Sequence, residues 1–304
     1  MQCMFRIPQD GGRVLWEITN RCNYACKYCI FSSGKGNIKE ELSFLECIKT
    51  IDDLWNHNFK YLKITGGEPF LRDDLVEIIE YAIKKGMKVD VSTNASMITL
   101  KQARKLRKLK LEMIHVSLDG DKEAHEKVRG TNTYERTITG IKNLKESHQY
   151  IRIGTVLYKE NQNRILEMIK QALELKVSEI IFSIMEPVGR MKGDHSYVIT
   201  RSLNEIEEEI LKYQREYKNK LKINYNWSSK IDEHIETCPA GRQFLYMNHK
   251  GNIAPCSWLV TLSSTYLTKG ALKEKNLNQL FQEETWKKFM EKQKCGDCVG
   301  RHKN

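Results

Sequence analysis

The 304-residue sequence has no apolar run of membrane-spanning length, and Met1 to Arg13 lack the apolar core of a secretion signal. Internal repeats and low-complexity linkers are also missing. Nine cysteines is an odd number, and without an export signal a disulfide framework is not expected; a reducing cytoplasm is the expected location. Acidic residues are in deficit, with 39 Asp and Glu against 50 Lys and Arg, a net charge of +11. Such a balance suits nucleic acid, an anionic cofactor or an acidic peptide, and it also suits an ordinary lysine-rich surface. The densest basic stretch, Lys101 to Lys110, interleaves with Leu100, Ala103, Leu106 and Leu109 at helical spacing, as a solvated helix face does. No aromatic-interleaved basic motif accompanies it, so neither nucleic acid nor a membrane is an expected partner.

With 40% hydrophobic residues, the chain can bury one large core, or one large and one small. Six strand-like runs are read at Arg13–Thr19, Tyr61–Thr65, Lys88–Thr93, Met113–Leu118, Ile151–Leu157 and Glu179–Met185. Amphipathic stretches at Leu42–Trp55, Leu75–Lys85, Thr99–Lys108, Tyr134–Lys145 and Asn163–Leu175 alternate with them, and Leu203–Tyr217 follows the sixth. This alternation predicts an α/β fold with a parallel sheet, closed, partly closed or open and doubly wound. Polar and glycine residues fall where each strand ends, on the edge that carries active sites in such folds. Past residue 220 the pattern breaks. A hairpin is expected over Phe244–Ile253, turning at His249-Lys250-Gly251-Asn252. Two domains are expected, 1–220 and 221–304.

Seven of the cysteines form two sets. Cys22, Cys26 and Cys29 lie within eight residues, after the first strand. Three thiolates can hold three irons of a four-iron cluster and leave the fourth open to a ligand. A zinc site is the rival reading, but it needs a fourth ligand, and the nearest histidine in sequence is His57. Cys238, Cys256, Cys295 and Cys298 form the second set. Four thiolates close a four-iron cluster, and equally a zinc site. Of the remaining two, Cys47 sits among Leu45, Ile48, Ile51 and Leu54 as a core residue, and Cys3 precedes the first strand.

These motifs, taken in order, resemble those of the radical S-adenosylmethionine superfamily. Cys22-x3-Cys26-x2-Cys29, with Tyr28 before the last cysteine, is similar to its signature loop. Thr65-Gly66-Gly67-Glu68-Pro69 resembles the segment that binds the methionine amine, and Ser92-Thr93-Asn94 the ribose-binding segment. Ser117-Leu118-Asp119-Gly120 with His125 and Arg129-Gly130 is similar to members with auxiliary clusters, where the serine and arginine contact the cofactor's carboxylate. Pro187-Val188-Gly189-Arg190 also looks like that subgroup. The resemblance implies a partial (β/α)6 TIM-like barrel. It implies S-adenosylmethionine as cofactor, with Tyr28, Gly66, Gly67, Glu68, Ser92, Asn94, Ser117 and Arg129 around it. One electron from the cluster would then release a 5′-deoxyadenosyl radical that abstracts an unactivated hydrogen.

The last quarter resembles the shortened twitch form of the SPASM domain. That implies a small C-terminal cluster domain and two [4Fe-4S] clusters in all, one binding the cofactor and one auxiliary. The implied activity is oxidation or cross-linking of a natural-product small molecule or a ribosomal peptide. A flavodoxin- or ferredoxin-type protein would supply the electron. With 21 residues before Cys22, a leader-peptide recognition domain is not expected. Glu186, at the end of strand six, is the favoured carboxylate for proton removal. Three other readings remain: an epimerase of a peptide or aminoglycoside, a radical enzyme modifying RNA, and a non-enzymatic protein with zinc at both cysteine sets that binds nucleic acid.

Overall fold

Strands and helices alternate as the periodicity predicts. In the computed structural model, residues 9–227 and 239–292 are described. In chain order the elements are β1 (Gly12–Glu17), α1 (Phe44–Asn56), β2 (Phe59–Thr65), α2 (Leu75–Lys84), β3 (Lys88–Thr93), α3 (Leu100–Leu106), β4 (Met113–Ser117), α4 (Lys122–Arg129), α5 (Tyr134–Leu144), β5 (Ile151–Leu157), α6 (Ile165–Glu174), β6 (Glu179–Ile184), α7 (Leu203–Glu216), β7 (Lys222–Tyr225), β8 (Phe244–Met247), β9 (Ile253–Ala254), α8 (Ser257–Leu262), α9 (Leu277–Phe281) and α10 (Glu284–Lys292). Several helices start on local chemistry. Ser43 with Glu46, Thr99 with Gln102 and Ser202 with Glu205 form capping boxes at α1, α3 and α7. Asp121 caps α4 by accepting the Ala124 N–H at 2.9 Å.

The described residues divide into two units. The first holds 9–22, 33–90 and 239–292; the second holds 23–32 and 91–227. In the first, β1 pairs in parallel with β2 on one side and with β8 on the other, and β8 turns back antiparallel into β9. Val14, Trp16, Leu62 and Ile64 share one face of this sheet, each at most 1% exposed. Helix α1 packs against β2 and α2 and buries Cys47, Ile51 and Leu54. Cys47 is therefore a core residue, as expected from its neighbours.

In the second unit β4, β5, β6 and β7 run parallel in that order. Their apolar residues Ile114, Val116, Ile153, Ile180 and Phe182 are buried, together with Ile141 of α5, Ile169 of α6 and Ile206 and Ile210 of α7. Strand β3 crosses the division, which falls after Asp90.

All six expected strands and all six expected helices form, each within two residues of its expected ends. The hairpin forms too: Asn248 Oδ1 accepts the Lys250 and Asn252 N–H groups at 3.0 and 2.9 Å and closes the turn. Five elements were not expected: α4, β7 and the short helices α8, α9 and α10. Helix α4 is short and polar, burying only Ala124, His125, Val128 and Arg129. Strand β7 lies beyond residue 220 and continues the parallel pattern beside β6. The parallel pairing of β8 with β1 was also not foreseen. Among the described residues no helix is long and apolar enough to cross a membrane.

Candidate functional site

The first unit carries Cys22, Gly66, Gly67 and Glu68, all just past strand ends. After β1 the chain reaches Cys22, whose N–H donates to Gly34 O at 2.6 Å. The end of β2 grips this entry. Gly67 N–H donates to Thr19 O at 2.7 Å, and Glu68 N–H to Arg21 O at 2.8 Å. A Cβ on Gly66, whose φ is +152°, would lie 2.4 Å from Thr19 O. One on Gly67 would lie 2.1 Å from Arg21 O and 3.0 Å from the Cys22 Cβ. Both glycines are thus needed so that the chain can approach itself. Glu68 is fully buried and accepts the Phe70 N–H at 3.1 Å, which starts the short turn Pro69–Leu71. Arg21 is held by Glu41 at 2.8 Å, and Arg72 binds the Leu42 and Ile18 carbonyls at 3.0 and 3.3 Å.

The second unit carries Cys26, Tyr28, Cys29, Ser92, Asn94, Ser117, Arg129 and Glu186. Its cysteine loop is anchored at several points. The Tyr24 hydroxyl donates to Thr133 O at 2.9 Å and lies 3.1 Å from Thr137 Oγ1, which in turn donates to Asn94 O at 2.9 Å. Asn94 Nδ2 donates to Asn23 Oδ1 at 3.0 Å, and Asn23 Nδ2 to Ser96 Oγ at 2.8 Å. Asn94 Oδ1 accepts from Ser96 N at 2.9 Å and from Ser96 Oγ at 2.6 Å. The Asn94 amide therefore ties the segment after β3 to the cysteine loop. Ser92 and Ser117 are half-buried at their strand ends.

Asp119 is the centre of this unit's polar network. It is fully buried and accepts from Arg129 Nε at 2.6 Å, from Val156 N at 2.9 Å and from the Tyr28 hydroxyl. Burial alone would raise its carboxyl, but the Arg129 guanidinium and these hydrogen bonds outweigh that and hold it below the usual carboxylate range. Arg129, 6% exposed, also lies over the Tyr28 ring at 5.2 Å and points Nη1 at Cys26 Sγ, 3.9 Å away. Partial burial pushes the Cys26 thiol up, and this cation opposes it. His125 is also buried: its Nδ1 accepts the Asp119 N–H at 3.3 Å, and burial lowers its pKa to about 3. It is therefore neutral. In the sequence Asp119 stands only within a motif; the signal of its role is a carboxylate at a strand end ten residues before an arginine. Asn23 and Tyr24 had no such signal, since their partners are distant in sequence. Glu186 counts as exposed, yet desolvation around its carboxyl raises it above its ordinary value.

Cys22, Cys26 and Cys29 are half-buried and carry their sulfurs as thiols, as does Cys256. Soft donors in a loop whose backbone is already tied down, one of them beside a buried guanidinium, fit an iron–sulfur cluster in the donor chemistry they offer. Of the second cysteine set only Cys256 is described. It precedes α8 and packs against Ala240, Leu259 and Phe289. Gly241 N–H donates to Pro255 O at 3.1 Å, so the residues following Cys238 in sequence meet the one preceding Cys256. Cys238, Cys295 and Cys298 lie outside the described residues.

Comparison with known proteins places the chain in a family and a fold. An AdoMet-dependent heme synthase of Methanosarcina barkeri is 28% identical over 313 residues, 94% of this chain and 87% of that protein. The mycofactocin maturase MftC of Mycolicibacterium smegmatis is 34% identical over 177 residues, 58% of this chain and 45% of its own length. Among solved structures, Streptococcus suis SuiB bound to the precursor peptide SuiA has a TM-score of 0.76 at 18% identity, covering 93% of this chain and 67% of that one. The likeness is one of fold, the α/β partial barrel. The description of the radical SAM superfamily matches residues 16–172, half of the sequence, and the chain belongs to that superfamily.

Proposed function

We propose that this radical SAM enzyme removes a hydrogen atom from an unactivated carbon of a peptide or natural-product small molecule, and so oxidises or cross-links it. Cys22, Cys26 and Cys29 would hold a [4Fe-4S] cluster with S-adenosylmethionine on its fourth iron; bound there, the pair supplies a 5′-deoxyadenosyl radical. The observation that carries this reading is the placement of Arg129. A buried cation beside Cys26 Sγ, locked by Asp119, favours the thiolate that an iron needs and suits an anionic neighbour. Glu68 would take the cofactor's amine, and Ser92, Asn94 and Ser117 would serve the segments nearest its ribose and carboxylate. In that role Asn94 acts through its backbone and its hold on Asn23, since both ends of its amide are engaged. Gly66 and Gly67 act by letting β2 close on the loop, and Tyr28 by holding Asp119.

A C-terminal accessory domain, residues 221–304, would carry a second cluster on Cys238, Cys256, Cys295 and Cys298. The Gly241–Pro255 hydrogen bond supports it by joining two of the four neighbourhoods. Four ligands leave no open iron, so the second cluster would move electrons and leave the substrate unbound. A flavodoxin- or ferredoxin-type protein is the proposed donor. The peptide reading draws on SuiB and MftC, and the small-molecule reading on the heme synthase. Glu186, with its raised carboxyl, is the proposed proton acceptor.

The test is 5′-deoxyadenosine formation by reduced, anaerobically reconstituted protein. Replacing Cys22, Cys26 and Cys29 together by Ala is expected to abolish it. Cleavage that survives the triple replacement overturns the assignment.

A further inference from the structure

The turn after β6 is the one motif that the reading above leaves without a task. Gly189 to Met191 form a single tight turn, and it lies directly on the cysteine loop. Arg190 N–H donates to Cys29 O at 3.0 Å, and Arg190 Nη1 donates to Cys26 O. One residue therefore holds the carbonyls of two of the three loop cysteines, from its main chain and its side chain at once. Gly189 makes the approach possible. Its φ is +60°, and a Cβ there would stand 2.4 Å from Cys29 O and 2.5 Å from Ile30 O. Downstream, the Tyr197 hydroxyl accepts from Lys27 Nζ at 2.6 Å, and its ring receives the same ammonium at 4.9 Å. Met191 anchors the turn from below, packed with Val128, Tyr158 and Met185.

We propose that Arg190 is a positioning residue of the cluster site: it fixes the backbone of Cys26 and Cys29 so that both thiolates face the same metal before any metal arrives. This inference rests on the cluster reading of the loop. The loop is short and glycine-free between Asn23 and Ser32; within it Cys26 O accepts the Cys29 N–H at 3.3 Å and Cys29 O the Ser32 N–H at 3.1 Å, and Arg190 adds a second donor to each carbonyl from outside the loop. A guanidinium spans the distance between main chain and Cys26 O, while the backbone N–H reaches Cys29 O. Outer partners of this kind typically set metal affinity by a factor of about 10 to 100.

The test uses the reconstituted holoenzyme and a matched pair of variants. Arg190→Met removes the side-chain donor and keeps the bulk. Arg201→Met is the control, since Arg201 likewise binds a carbonyl, Gln162 O at 3.0 Å, and a carboxylate, Glu209, in the same unit but away from the loop. Iron release to a strong chelator under anaerobic conditions is followed together with the electron paramagnetic resonance spectrum of the reduced protein. Arg190→Met is expected to release iron about tenfold faster or more and to show an altered spectrum. The control is expected to match the parent in both. In the metal-free protein, maleimide labelling of Cys26 and Cys29, read by peptide mass spectrometry, is expected to speed up in Arg190→Met and to stay at the parent rate in Arg201→Met. Gly189→Ala, which pushes the whole turn off the loop, is expected to exceed Arg190→Met in each measurement. Iron release, spectrum and labelling all unchanged in Arg190→Met overturn the inference and leave the cluster reading standing. A parent protein that takes up no iron overturns both.

Discussion

His125 shows how a single buried side chain can make stability depend on pH. Its Nδ1 accepts from the Asp119 N–H, so Nε2 carries the hydrogen. Among the described residues that atom has no hydrogen-bond partner, and the ring meets Tyr134 edge-on at 5.9 Å. Protonating it would place a cation in a buried site already holding Arg129, and burial lowers its pKa from 6.5 to about 3. Unfolded, the same histidine takes its proton near pH 6.5. Between those two values the unfolded chain binds one more proton than the folded chain, so acid favours unfolding. Stability is therefore expected to fall as pH drops from 6.5 towards 3, by up to about 1.4 kcal/mol per unit from this residue. Urea unfolding from pH 7 to pH 5 should show the slope, and His125→Gln, which keeps an acceptor for Asp119, should flatten it. An equal slope in the variant would rule out His125 as its source.

Helix α5 does more than cover the sheet. Its start holds Tyr24 of the cysteine loop through Thr133 O and Thr137, and Thr137 also holds Asn94 O. Farther along, Gly140 lies against Ala95, a residue with φ +61°; a Cβ at 140 would fall 1.9 Å from Ala95 O. Alanine is the better helix former by about 1 kcal/mol, but here the obstacle is backbone that cannot swing aside. Gly140→Ala is expected to destabilise by about 1–3 kcal/mol in urea unfolding, as overpacking does, and to weaken S-adenosylmethionine binding through the Asn94 segment. A stabilised variant would show that the approach is loose. The strands, the main helices and the order of the strand-end motifs were legible because period and polar punctuation are local. Helix α4 was not, since eight residues with four buried positions leave no apolar stripe to read. Nor was the capture of the Asn94 amide by Asn23, because a hydrogen bond across 71 residues leaves no trace in spacing.

In the first unit β8 pairs with β1 and leads through β9 to Cys256. Cys22 follows β1 and Cys256 follows β9, so one contiguous sheet carries a member of each cysteine set. The proposed reading puts a metal on each cysteine set, and the metal count decides whether both are present. Reconstituted parent protein is expected to hold about eight irons with matching sulfide. Cys256→Ala removes a half-buried thiol at the edge of the Ala240, Leu259 and Phe289 cluster and keeps its Cβ, so the fold should survive. Iron is then expected to fall to about four, while uncoupled 5′-deoxyadenosine formation continues from the cluster on the N-terminal loop. Four irons and one zinc in the parent would make the second set a closed structural zinc site, as its spacing alone equally permits. Eight irons retained in Cys256→Ala would remove Cys256 from the ligand set and leave the accessory cluster to other donors.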